Sequence, residues 1–372
     1  MQNYDVIVLG AGINGCGIAE NLASSGQKVL LLDKGGVGQG TSSKSSRLIH
    51  GGLRYLETGQ LHLVYESLHD RQRLVKKYPD LVVFKRFFLP IYNSSPRPAW
   101  MIRVGLWMYD LLSGSRSAGK SRMENVEKFK QRFPAFTEAN LKSVLSYVDA
   151  KTHDAELTRR VADDFQDLGG TIIVHCDLES IQWEETGFEL QTSAGTFLAP
   201  ILVNATGPWL EEVNSKYDLP ARFGIRKVSG IHLIFEGLIV PELMFMQTRE
   251  KRIFFIIPEP ENDQTLIGTT EREENCHMDD LQAQESDIKY LLDQVNAYLK
   301  TDHQFQRKDV RDIYIGVRPL VRKKGDLSDV SREYKLDLHR KGDTKLLHIF
   351  GGKLTTYLSL AEKVADLLKV KS

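Results

Sequence analysis

The stretch Tyr4-Asp5-Val6-Ile7-Val8-Leu9-Gly10-Ala11-Gly12-Ile13-Asn14-Gly15, followed through to Lys28-Val29-Leu30-Leu31-Leu32-Asp33, decides the fold. Residues 4–9 form a short apolar run rich in Val and Ile, bounded by Gly10, which reads as a buried parallel strand. Ile18, Ala19, Leu22 and Ala23 then recur at helical spacing up to Ser25, and Gly26 stands where a C-terminal cap belongs. Lys28–Leu32 is a second apolar strand closed by Asp33, so the whole is one βαβ unit. Gly10, Gly12 and Gly15 match G-x-G-x-x-G between strand and helix. The first glycine permits a tight turn, the second lets a pyrophosphate approach the backbone, and the third allows close helix–strand packing. The helix N-terminus adds the positive end of a dipole, and Asp33 is placed to accept hydrogen bonds from an adenosine ribose. FAD and NAD both use such a unit.

Two later segments tilt the reading toward FAD. Val203-Asn204-Ala205-Thr206-Gly207 ends a strand in a small-residue turn, suited to a second close approach of backbone to cofactor. Phe350-Gly351-Gly352-Lys353 opens a helix marked by Tyr357, Leu360, Ala361, Val364, Leu367 and Leu368, whose N-terminal amides suit negative charge on a reduced flavin. Strands are also expected at Thr171–Cys176, Ile181–Trp183, Phe188–Thr192 and Ala199–Ala205, and alternating strands across 223–270. Helices are expected at Pro98–Leu112 and Gln284–Leu299, and a solvated loop or hairpin at 318–345. The pattern is a discontinuous FAD-binding domain, residues 1–75, 150–222 and 312–372, with a β-rich substrate cap of residues 76–149 and 223–311.

Composition narrows the function. The chain has 372 residues, 41% hydrophobic and 26% charged, with 49 Lys+Arg balancing 49 Asp+Glu. That is ample material for a core, and the charge balance gives no general steering of nucleic acid. Cys16, Cys176 and Cys276 are scattered, without disulfide pairing or metal-ligand spacing, so reduced thiols and no metal are expected. No apolar run reaches the ~18 residues of a spanning helix, and Asp5 stands where a signal peptide needs a basic start. A cytoplasmic protein is expected, with at most peripheral attachment to the inner face of the cell membrane. Pro98–Leu112 is apolar nearly all round; core or inter-domain packing is the favoured reading over an in-plane anchor.

Thr41-Ser42-Ser43-Lys44-Ser45-Ser46-Arg47-Leu48-Ile49-His50-Gly51-Gly52-Leu53-Arg54-Tyr55-Leu56-Glu57 resembles the second motif of the FAD-dependent glycerol-3-phosphate dehydrogenases. So do Arg97–Arg103, Asn204-Ala205-Thr206-Gly207-Pro208-Trp209, Gly316-Val317-Arg318-Pro319-Leu320 and Gly351-Gly352-Lys353-Leu354-Thr355-Thr356-Tyr357, in family order across nearly the whole chain. The resemblance implies an α/β fold with an α+β cap, related to glutathione-reductase-like and D-amino-acid-oxidase-like flavoproteins. It implies oxidation of sn-glycerol 3-phosphate to dihydroxyacetone phosphate with non-covalent FAD, electrons passing to a quinone-type acceptor. Family residues that handle the phosphate and the reacting carbon match His50, Arg54, Tyr55, His232, Thr270, Arg318, Arg332 and Lys353, with His50, His232 and Arg318 expected in catalysis.

Cofactor contacts are expected from Gly10, Gly12, Ile13, Asn14, Gly15, Asp33 and Lys34, and from Thr41, Ser42, Ser43, Ser45, Ser46, Leu48, His50, Gly51 and Gly52. They are expected also from Ala205, Thr206, Gly207 and Trp209, and from Gly352, Lys353, Leu354 and Thr355. Arg47 and Arg103 are read as structural or at the cofactor edge. Ala11, Asn21, Ser25 and Leu358 depart from the family pattern but leave the three glycines intact. Members usually continue into a C-terminal helical domain where this chain ends after one helix, leaving dimerisation and membrane docking open. A relative acting on a hydroxy acid or amine, and an FAD-stabilised binding or regulatory protein, are the competing functions.

Overall fold

In the computed structural model, residues 1–57, 59–114, 118–323, 330–331 and 333–369 are described. Among them the strands form three sheets. The first is built around the opening βαβ unit. Strand Val6–Leu9 lies between Val29–Leu32 and Ile201–Asn204, with Thr171–Ile173 at one edge and the hairpin Lys335–Lys341/Thr344–Phe350 at the other. All pairings are parallel except the hairpin, and the central strands are buried throughout, as continuous apolar runs require. Helix α1 (Ile13–Ser24) covers one face together with Asp154–Asp167 and Tyr357–Leu368. It ends where expected, with Gly26 at φ +82°.

The expected strand Ala199–Ala205 is two strands, Gly195–Ala199 and Ile201–Asn204, in different sheets. Pro200 between them has no N–H for either ladder. Gly195–Ala199 belongs to a small sheet with Gln2–Asn3, Gly187–Thr192 and Leu178–Glu184.

The largest sheet holds most of the strands expected in the cap. Its order runs Val330–Ser331, Val310–Lys323, Phe223–Glu236, Gln264–Gly268, Ile253–Glu259, Leu243–Gln247, Val83–Tyr92, Leu141–Lys151 and Leu48–Ile49. The divisions expected at 149/150 and 311/312 fall inside two of these strands. Val310–Lys323 follows the long partner Phe223–Glu236 from Val310↔Phe235 to Lys323↔Phe223, so it goes with the large sheet. The region expected as a loop or hairpin at 318–345 is therefore part strand and part hairpin, with 324–329 and 332 outside the described residues.

Helix α2 (Leu61–Lys77) and helix α3 (Ala99–Ser113) pack together beside this sheet. In α3, Ile102, Leu106, Tyr109 and Ser113 face inward, whereas Trp100, Val104, Trp107 and Leu111 are 52–69% exposed. Core packing expected for the whole helix therefore holds for one face only. Apolar residues on both faces hide the difference in the sequence. No described helix is long and apolar enough to cross a membrane.

Candidate active site

A cavity of about 1410 Å³ runs from the ends of the parallel strands to the large sheet. The glycine motif forms one end. Gly10 has φ +101°, and a Cβ there would lie 2.7 Å from the Ala205 carbonyl oxygen, so the first loop sits directly on the small-residue turn. A Cβ at Gly15 would lie 1.8 Å from Gly10 O; this glycine packs helix against strand and does not line the cavity. Gly12, which does line it, would bring a Cβ near only Ser42 Oγ, at 3.2 Å. Helix α1 begins there with no side-chain cap and no acid in its first turn, leaving the dipole's positive end toward the cavity.

Asp33 lines the cavity too, but its carboxylate already accepts from Ala11 N (Oδ2, 2.7 Å) and Gly35 N (Oδ1, 2.7 Å), fixing both neighbouring loops. Lys34 Nζ lies 4.9 Å from the Trp209 ring centre. Asn14 Nδ2 donates to Gly351 O at 3.2 Å and joins the first glycine loop to the last.

The serine-rich segment stitches the two sheets together. Thr41 Oγ1 donates to Val317 O (2.7 Å), Ser42 Oγ accepts from Ile13 N (2.9 Å), and Ser45 N donates to Asp154 (2.8 Å). Ser46 Oγ meets His232 Nε2 at 2.8 Å. Ser43 bonds back to Gly40 O and is outside the cavity lining. Leu48–Ile49 then pairs with Lys151 and Ala150, which delivers His50 to the cavity wall. Gly51 lies behind that wall, where a Cβ would meet the Tyr109 hydroxyl at 2.3 Å.

Register places the catalytic candidates. His232 pairs with Tyr314, Gly230 with Gly316 and Val228 with Arg318, so alternation puts all six on one face of two neighbouring strands. Val228, His232 and Arg318, with Gly230 and Gly316 giving room between them, form part of the cavity wall, and Tyr314 lies outside its lining. His232 is 1% exposed and stacks on Tyr314. Burial, with the charges of Arg318 and Arg47, pushes its pKa down to about 3, so the ring is neutral at neutral pH. Arg318 donates to Thr269 Oγ1 (3.1 Å) and Thr270 O (3.5 Å). Lys353 Nζ lies 4.3 Å from the Tyr55 ring centre, and both residues line the cavity.

Several expectations change. Thr270 turns from the cavity: its hydroxyl accepts from Ile231 N at 3.0 Å, and Thr269 lines the wall instead. Arg332 and the side chain of Arg54 lie outside the described residues. Arg47 pairs with buried Glu259 at 2.5 Å and does not line the cavity. Lys44, Asp149, Arg226 and Arg252 also line it; Lys44 stands inside the Thr41–Glu57 motif without an expected role, and no motif or spacing marks the other three.

The residues present fit FAD. Asn14 Oδ1 and Trp209 Nε1 belong to cavity-lining residues, are buried, and meet no hydrogen-bond partner among the described residues. A second helix start, Gly351-Gly352-Lys353 ahead of Tyr357–Leu368, also lacks a side-chain cap and acids in its first turn. Of the cavity-lining residues expected to touch cofactor, Ile13, Leu48, Gly52, Thr206, Gly207, Gly352, Leu354 and Thr355 come from four separate segments.

A family model for FAD dependent oxidoreductases matches residues 5–367. The chain is 36% identical over 383 residues to the D-erythritol 1-phosphate dehydrogenase of Brucella abortus, covering 99% of this chain and 74% of that protein. It is 37% identical over 382 residues to the aerobic glycerol-3-phosphate dehydrogenase of Escherichia coli, again covering 99% and 74%. The glycerol-3-phosphate dehydrogenase of Bacillus halodurans, solved in complex with FAD, has a like fold at TM-score 0.76 and 23% identity, over 98% of this chain and 64% of that one. The chain belongs to the FAD-dependent oxidoreductases, among the glycerol-3-phosphate dehydrogenase family, and its cofactor is FAD.

Proposed function

We propose that the protein oxidises sn-glycerol 3-phosphate to dihydroxyacetone phosphate and passes the electrons to a quinone-type acceptor. The observation that carries this reading is the meeting of His232 and Arg318, on one face of two neighbouring strands, with His50 and Lys353 from two distant segments around one cavity. Alcohol oxidation removes a hydride from the carbinol carbon and a proton from its hydroxyl. Bound FAD supplies the hydride acceptor at N5. His50 takes the hydroxyl proton, since His232, at about 3, is a poor base. His232, neutral and held by Ser46, orients the hydroxyl through a hydrogen bond. Arg318 and Lys353 neutralise the substrate phosphate; a planar guanidinium and a point-charge ammonium suit a dianion.

A second substrate, D-erythritol 1-phosphate, is favoured by one observation: identity to the Brucella abortus enzyme is 36%, level with the 37% to the Escherichia coli enzyme. Anaerobic titration of the flavin with each compound, comparing apparent affinities and bleaching rates, decides between them. The exposed stripe of α3 supports peripheral attachment to the inner membrane face, where a quinone pool lies. Co-sedimentation with anionic vesicles that falls in Trp107→Ser is the expected result; equal sedimentation of both proteins contradicts it.

A further inference from the structure

Behind the cavity wall, four segments meet at one peptide. Gly51 N donates to Tyr109 OH at 2.8 Å and to Asp149 Oδ1 at 3.2 Å. Tyr109 OH donates to Asp149 Oδ2 at 2.8 Å. Arg71 NH1 lies 2.7 Å from Asp149 Oδ1 and 3.3 Å from Tyr109 OH, and its NH2 donates to Ser113 Oγ at 3.0 Å. Arg71 is 0% exposed, and Asp149 and Tyr109 are 1% exposed each. Arg71 comes from α2, Tyr109 from α3 and Asp149 from Leu141–Lys151, so nothing local in the chain dictates their meeting.

We propose that Arg71, Asp149 and Tyr109 clamp the His50–Gly51 peptide and act as positioning residues for His50. The Gly51 N–H belongs to the peptide plane leaving the His50 Cα, so fixing it fixes how His50 faces the cavity. A Cβ at residue 51 would occupy the space of the Tyr109 hydroxyl and of Leu68, which accounts for glycine there. Burial and the neighbouring Asp149 hold the Tyr109 phenol protonated, so its one proton goes to the carboxylate and its lone pairs face Gly51 N–H and Arg71. Burying a full arginine–aspartate pair contributes little net stability compared with an apolar replacement, so its effect lies in geometry. Asp149 also lines the cavity, which puts the clamp directly behind the reacting groups.

The proposal rests on the reading of His50 as the proton acceptor, and the test separates the two. Tyr109→Phe removes the hydroxyl alone, and Tyr92→Phe, which removes a hydroxyl bonded to Thr137 O in a different core cluster from Tyr109, is the control. FAD content, Tm, KM and the single-turnover rate of flavin reduction by sn-glycerol 3-phosphate are measured for both. The clamp predicts full FAD content, KM within about twofold and a reduction rate at least about tenfold lower in Tyr109→Phe only. It predicts that this loss shrinks to less than about threefold when Tyr109→Phe is made in a His50→Gln background. A wild-type reduction rate in Tyr109→Phe, or an equal loss in Tyr92→Phe, overturns the clamp. Should His50→Gln alone keep the wild-type rate, or the substrate fail to reduce wild-type flavin, the functional reading fails instead. Amide exchange of peptides covering residues 48–52 then decides the clamp: faster exchange in Tyr109→Phe supports it, and unchanged exchange overturns it.

Discussion

Ser46 Oγ lies 2.8 Å from His232 Nε2, and through this contact the serine-rich loop is tied to the buried face of the large sheet. The loop carries His50 four residues later, so the two histidines around the cavity share one support.

Gly12 offers the first test. A Cβ there has one near neighbour, Ser42 Oγ at 3.2 Å, which would have to give way by a few tenths of an ångström, so the side chain meets chiefly the space left for the cofactor. Gly12→Val is expected to purify folded, with unchanged far-UV circular dichroism, and without flavin. Stoichiometric FAD in that variant contradicts the assignment of the loop.

Removal of the phosphate cations is the second. Arg318→Ala and Lys353→Ala are each expected to lose about 1.5–3 kcal/mol of transition-state stabilisation, or about tenfold to a hundredfold in kcat/KM for glycerol 3-phosphate. Glycerol, lacking the phosphate, should show a much smaller loss. Arg318→Lys should recover little, because an ammonium cannot reproduce the planar fork. Equal losses on both substrates contradict the phosphate role.

Acid stability is the third. Burial holds His232 at about 3 and His348 at about 4, below the usual 6.5, helped in His232 by Arg318 and Arg47. The unfolded chain takes up both protons below about pH 6.5 while the folded protein stays neutral at these sites. Stability is therefore full above that pH and falls as pH drops toward 4, by up to about 1.4 kcal/mol per pH unit for each histidine. Denaturant melts from pH 7 to 4.5 should show this slope, and His348→Gln should flatten it. An unchanged slope in the variant contradicts the assignment.

The buried pair under the loop is the fourth. Glu259 is fully buried and accepts from Arg47 at 2.5 Å and from Gln264 at 2.7 Å, with Lys151 Nζ 3.8 Å away. Glu259→Leu leaves Arg47 without its partner and is expected to destabilise by about 3–5 kcal/mol. Arg47→Met combined with Glu259→Leu should cost clearly less. Equal costs in urea melts contradict the pairing as the source of the loss.

The parts of this protein legible in sequence are those whose chemistry lies in contiguous residues. Gly10, Gly12 and Gly15 show their spacing directly; Gly10 takes the positive φ of a tight turn, Gly15 packs against Gly10 O, and Gly12 lines the cavity. Lys353 and Tyr55 could be joined only by resemblance, since nothing local connects positions so far apart. Thr269 and Thr270 are adjacent, and which one faces the cavity depends on the hydrogen bond that the Thr270 hydroxyl accepts from distant Ile231 N. Arg71, Tyr109 and Asp149 lay beyond reach for the same reason: their hydrogen bonds span 38 to 78 residues. In α3, Trp107 and Leu106 are both apolar neighbours, so hydrophobicity alone could not tell the exposed one from the buried one.

The most direct test of the functional account is the colour of the purified holoprotein. Under anaerobic conditions, sn-glycerol 3-phosphate is added to the yellow enzyme and the flavin absorbance is followed. The account predicts bleaching that saturates with this substrate and is weak with glycerol, because Arg318 and Lys353 grip the phosphate. A flavin that stays oxidised with sn-glycerol 3-phosphate and D-erythritol 1-phosphate, and bleaches instead with a hydroxy acid or an amino acid, would contradict it.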